Sequence, residues 1–241
     1  ELDIEATPDE LLARALFHAD PDDLDWWQSL VVLTQRHRDA AGWATARLAH
    51  PDVPVRRFAA EALRFAGNGG EQPDERAAAA LAARLPAEDD TDVLKELMLA
   101  FAVHRYFPPP LVELRPFATH PDPEIRATVA GHLYDPGSLS VLLAMADDPV
   151  PEVRAHALRT LVEAVTEIRD EAEYQQAAPD IQAAFIAHRI ERDTRVRLEA
   201  LAGLSLNGDR AAWAELHEID DPDERIGRIT IQYNRKFNVR G

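Results

Sequence analysis

One phrase recurs along this chain, and it limits the fold more than any other feature. Residues 50–67 read HPDVPVRRFAAEALRFAG, residues 120–137 read HPDPEIRATVAGHLYDPG, residues 148–165 read DPVPEVRAHALRTLVEAV and residues 193–206 read DTRVRLEALAGLSL. A degraded copy, DDTDVLKELMLAFAVH, occupies 89–104. Aligned on the residue before the arginine (Val55, Val93, Ile125, Val153, Val196), the copies step by 38, 32, 28 and 43 residues. Periods of that size belong to helix-turn-helix units that cannot bury their apolar faces alone and therefore stack.

Each copy carries the signals of a helix. Pro51, Pro121 and Pro149 stand just ahead of it, where proline is accepted and a helix interior would reject it. Asp52, Asp122 and Asp193 are placed to cap the first-turn amides. Apolar or small residues follow at 55, 59, 62, 63 and 66, a single stripe on a helix of 3.6 residues per turn. Small residues at 59, 60 and 62 let a neighbouring helix approach closely. His50 and His120 precede Pro-Asp at the same position, which points to a role in the turn.

Partner helices are expected between the copies, at Pro73–Leu85, Pro110–Thr119, Gly137–Ala146 and Ala172–Glu191. Pro8–Ala19, Asp23–Arg36 and Ala40–Ala49 read as helices upstream, and Asp209–Ile219 and Asp223–Lys236 downstream. Asp-Pro pairs at 20–21, 148–149 and 221–222 stop one helix and start the next. The one β-like run, ITIQY at 229–233, is expected to continue a helix. In Trp26-Trp27 one indole is expected to face inward and the other outward, because neighbours on a helix stand about 100° apart.

The phrase D-x-x-V-R-x-x-A-x-x-A-L resembles the HEAT repeat in its bacterial form, the PBS-lyase HEAT-like repeat. Asp52-Val55-Arg56-Ala59-Ala62-Leu63 matches it fully. Asp122-Ile125-Arg126 matches with Val129 and His132 in the alanine places. Val153-Arg154-Ala157-Leu161 carries Thr160 in an alanine place, and Asp193-Val196-Arg197-Ala200-Leu204 carries Gly203. The resemblance implies an all-α fold, an α-α superhelix of about seven helix pairs in one domain over 1–241. Residues 1–50 would be atypical cap helices, 51–206 the core repeats, and 207–241 the closing cap helices with a basic tail. It also implies that the recurring arginines bond between repeats, to Asp52-type caps.

Within such a solenoid the second helix of each pair would line a concave face. Positions two, six and nine after the aligned Val or Ile are expected there, from Arg57, Glu61 and Arg64 through Lys95, Leu99 and Ala102, then Ala127, Gly131 and Tyr134, then Ala155, Arg159 and Val162, to Leu198, Ala202 and Ser205. The candidate binding residues are Arg57, Glu61, Arg64, Lys95, Tyr134, His156 and Arg159. Aromatic and arginine anchors on a groove suit a protein or peptide partner.

Composition narrows the function classes. The 241 residues include no cysteine, which removes disulfides, thiolate nucleophiles and cysteine-based zinc sites. The formal charge of −17 repels duplex DNA and anionic lipid, so neither nucleic acid nor membrane is an expected partner. No run of 18 apolar residues occurs, and the acidic opening ELDIEATPDE is unlike a basic signal segment, so a cytoplasmic setting is expected. Nine histidines form none of the metal-ligand spacings, and no nucleophile elbow, phosphate loop or dinucleotide fingerprint is present. No metal, cofactor or catalytic residue is therefore expected. The reading is a non-catalytic interaction scaffold. The alternatives are an acidic inhibitor or immunity-type protein blocking a basic target, and, from the resemblance, a HEAT-like enzyme such as a bilin lyase subunit.

Overall fold

The computed structural model describes residues 6–68, 74–104, 112–168, 170–219 and 224–237. The Gly69-Gly70 loop, the Pro108-Pro109-Pro110 run and residues 238–241 of the basic tail lie outside the described residues. The protein is all-α, built of packed helix pairs, with no strand among the described residues. It forms two compact units, Glu1–Pro109 and Pro110–Gly241.

The first unit contains α1 (Pro8–Ala15), α2 (Leu24–Arg36), α3 (Ala40–Thr45), α4 (Val53–Asn68), α5 (Glu75–Arg84) and α6 (Thr91–His104). α4 packs between α2, α3 and α6. The expected stripe is the buried one: Val55, Ala59, Ala62 and Leu63 are at most 4% exposed. Phe58 is fully buried and meets Trp26 and Trp43 edge-on at 5.2 and 6.2 Å. Such pairs add to the stability gained from burial itself. Trp26 is 1% exposed and Trp27 48%, so the tandem indoles divide inward and outward as expected.

The second unit contains α7 (Pro123–Ala130), α8 (Leu139–Ala146), α9 (Pro151–Glu167), α10 (Ala172–His188), α11 (Thr194–Leu206), α12 (Arg210–Leu216) and α13 (Arg225–Phe237). The ITIQY run lies within α13. Asp122 and Asp193 cap α7 and α11, accepting first-turn amides at 2.8–3.1 Å. The stretch Val112–Thr119, expected as an α-helix, is a 3₁₀ helix instead. Pro116 lies inside it, lacks the amide an α-helical ladder needs and clashes with the carbonyl four residues back.

The recurring arginine bonds differently from the expectation. Arg56 Nη1 donates to the carbonyls of His50 and Pro51 at 3.0 and 2.9 Å, while Nε and Nη2 grip both Glu88 oxygens at 2.9 and 2.8 Å. Arg126 repeats this on the carbonyls of His120 and Pro121 and on Asp148. Arg154 holds the carbonyls of Asp148 and Pro149 and lies 3.4 Å from Glu191. The guanidinium thus fastens its own turn to an acid 22 to 37 residues further along, and the aspartate caps are left to the helix amides. His50 and His120 complete the device. Each Nδ1 accepts the amide of the residue two positions on, Asp52 or Asp122, at 3.1 Å. Burial works against the Glu88 charge, but Arg56 and the Asp90 amide hold its pKa below the ordinary carboxylate value. Asp148 is lowered in the same way, its burial outweighed by Arg126. Arg197, in the last copy, is exposed.

Departures from the phrase have local causes. Thr160 sends its hydroxyl to the Ala130 carbonyl at 2.8 Å, inside the core. Gly203 replaces an alanine because the Phe185 ring occupies the space a Cβ would need. Gly203→Ala should therefore cost about 1–3 kcal/mol by overpacking, despite alanine's better helix propensity. A thermal melt at or above the wild-type midpoint would contradict this.

Candidate functional site

In the first unit, α2, α4 and α6 assemble four of the expected residues into a charged layer. Arg57 Nε donates to Glu61 Oε1 one turn along α4 at 3.1 Å, and Arg57 Nη1 donates to Asp92 Oδ2 of α6 at 3.1 Å. The second Glu61 oxygen accepts Trp26 Nε1 at 2.7 Å. Glu61 is consequently buried, and it orders the layer from beneath instead of presenting a free carboxylate. Arg64 Nε lies 2.9 Å from Glu96 Oε2 of α6. Burial pushes the Glu96 carboxyl above its usual range, against the pull of Arg64. Lys95 is half-buried on the same helix.

An aromatic pair adjoins this layer. Trp27 meets Phe65 edge-on at 5.0 Å, and the Arg64 guanidinium stands 5.0 Å over the Phe65 ring. Trp27 remains half-exposed although the Phe65 ring, itself under the Arg64 guanidinium, packs against it. A large, ordered and solvent-facing aromatic beside an arginine has the character of an interface anchor: much apolar area and little conformational entropy to lose.

The second unit brings together Tyr134, Arg159, Glu163, Glu199 and Arg225. Arg159 Nε donates to Glu199 Oε1 at 2.9 Å. Arg225, at the start of α13, donates to both Glu199 oxygens at 3.0 and 3.1 Å and lies 4.0 Å from Glu163. The Tyr134 hydroxyl hydrogen-bonds Glu163. Burial pushes both Tyr134 and Glu163 upward, while Arg225 works against the shift at Glu163. Burial also opposes the Arg225 charge, yet Glu199 keeps its pKa above the ordinary guanidinium value. His156 is half-buried, its pKa lowered by burial and by Arg159.

The two clusters share a pattern. In each, an acid three positions after the aligned valine (Glu96, Glu199) pairs with an arginine of an earlier phrase helix (Arg64, Arg159). They differ in cover. Leu198, Ala202 and Ser205 are buried where the sequence predicted an exposed row, because α11 also packs against α13. Ala127, Ala155 and Val162 are buried too. Of the predicted residues, Arg57, Arg64 and Lys95 are partly open to solvent in the first unit; in the second, Arg159 is comparably open while its Nε is held by Glu199, and Tyr134 is bonded within the network.

Sequence reasoning missed Phe65, Glu96, Glu163, Glu199 and Arg225. The spacing of Arg225, Ile229 and Tyr233 along one side of the last helix was the available signal for how α13 docks. No comparable signal marked Phe65. Among the described residues, no group of three or more His, Asp or Glu is placed to hold a metal ion, and no helix is long and apolar enough to cross a membrane.

The fold and these clusters define an all-α protein of packed helix pairs with charged, arginine-rich helix faces. An X-ray structure of the Escherichia coli protein YibA aligns over 95% of this chain and 93% of its own length, at TM-score 0.64 and 17% identity. An engineered protein aligns over 96% of this chain and 90% of its own, at 16% identity and a TM-score of 0.38, too low to define a shared fold. No family model matches the chain, and no curated protein matches it in sequence. The likeness to YibA is one of fold alone.

Proposed function

We propose that this chain is a HEAT-like repeat protein that binds a protein or peptide segment on the α2–α4–α6 face of its first unit. The recurring V-R phrase, its arginine fastenings and the YibA-like fold support the family reading. The observation that carries the binding reading is Trp27, 48% exposed yet packed edge-on against Phe65, whose ring lies under the Arg64 guanidinium. Arg57 and Arg64 supply directional donors at the rim, and the acids beneath fix their geometry. The role that fits such a face is that of an adaptor.

Immobilised protein, exposed to source-cell lysate, tests this. Trp27→Ala and Arg64→Glu should each lower capture of a specific protein at least tenfold, on the order of 1–2 kcal/mol as at interface hot spots. The surface control Arg76→Glu on α5 should change nothing. Raising salt from 0.05 to ~0.5 M should weaken capture only modestly, since screening acts on exposed charges. Equal capture by all variants would reject the face. Complete release by salt would favour the acidic inhibitor, for which the −17 charge is the supporting observation.

A further inference from the structure

α13 is attached to the second unit in an unusual way. Among the thirteen residues of this helix only two, Arg225 and Ile229, are buried, and they lie one turn apart. The first is an ion, seated on the Glu199 carboxylate that Arg159 also holds. Ion pairs in such positions select a geometry more than they stabilise it, because desolvation cancels most of the attraction. The apolar share of the docking falls to Ile229 and to Tyr233, which stacks on Trp213 with ring centroids 3.9 Å apart.

Beyond that point the fit is loose. A cleft of about 450 Å³ separates Val165 and Glu167 at the end of α9, and Asp170 beyond it, from Gln232, Arg235 and Lys236 of α13. Gln232 Oε1 is buried there without a hydrogen-bond partner. Ile231 and Phe237 remain 54% and 41% exposed. Native cores pack at crystal-like density and satisfy their buried polar atoms. α13 meets the second unit as a bound ligand does, by one specific ion pair, one buried aliphatic side chain and the Tyr233–Trp213 stack.

We infer that the α9–α11 face is a docking site for an amphipathic helix presenting Arg-x-x-x-Ile, and that α13 is its resident, exchangeable occupant. A partner helix with that pattern would place its arginine between Glu199 and Glu163 and its aliphatic residue in the Ile229 position. This surface is separate in residues from the α2–α4–α6 face, and either can fail without the other.

Two experiments on the full chain test the inference. In the wild-type protein, amides of 229–237 should exchange with solvent at least a hundredfold faster than those of 196–204 in α11, through local release of α13. A fluorescein-labelled peptide of sequence 224–237 should bind an Arg225→Glu chain at least tenfold more tightly than wild type. The same peptide carrying the Arg225→Glu change should lose that binding. Equal protection of α13 and α11 would overturn the inference. So would peptide binding that is the same to both chains, or absent from a variant that retains its helical circular dichroism. If Arg225→Glu does not fold, Arg225→Gln removes the resident arginine's charge, leaves Glu199 paired with Arg159 and serves in its place.

Discussion

Leu63→Asp is expected to abolish the cooperative fold of the first unit. Leu63 is fully buried at the centre of the α4 stripe, beside Phe58 and opposite α6. The substitution removes a side chain whose truncation alone costs about 2–5 kcal/mol, and it places a carboxylate at a fully buried position. The combined penalty is comparable to the ~5–15 kcal/mol by which a domain is stable. Loss of helical circular dichroism or of a cooperative melt at 25 °C is the expected result. Val55→Asp, at 4% exposure on the same stripe, should behave alike. An unchanged melting temperature would contradict the register of the phrase.

Arg56→Ala should destabilise by about 3 kcal/mol, because it leaves the buried Glu88 carboxylate short of a bidentate partner. Arg84 still reaches Glu88 at 2.8 Å, which keeps the cost at the lower end for a broken buried pair. The expected fall in melting temperature is ~10 °C. Arg197→Ala, at the equivalent but exposed position, should change stability by less than ~0.5 kcal/mol. The pH dependence has a defined sign. The Glu88 pKa is lowered in the folded state, so its contribution is present above its ordinary value of 4.5 and is lost as pH falls further. The gap between wild type and Arg56→Ala should narrow in that acid range. Equal effects of the two arginines, or a gap that widens in acid, would contradict the fastening role.

The helices were legible because their signals are local. Proline and aspartate at 121–123 start α7, and the 55–59–62–63 stripe names the buried side of α4. The same locality explains the error at Val112–Thr119, where the apolar pattern read as α-helix and Pro116 decided otherwise. The arginine partners were not legible, since Glu88 and Asp148 lie in loops whose path depends on the stacking of the next helix. The candidate faces were half legible. Counting positions along one helix named Arg57, Arg64 and Arg159, each partly open to solvent, and also Leu198, Ala202 and Ser205, which are buried. It could not see that α13 would cover Glu199, because that contact depends on a helix from outside the repeat pattern.

The central claim is that a partner contacts the α2–α4–α6 face through Trp27. The photo-crosslinking amino acid p-benzoylphenylalanine, which keeps a large aromatic side chain at position 27, placed there in the source cells, with the same group at position 76 on α5 as the reference, measures this contact directly. The account predicts one dominant crosslinked protein from position 27 that is absent from position 76 and disappears when Arg64→Glu is added. Crosslinking that is equal from both positions, or absent from position 27 while the chain remains folded, would contradict it.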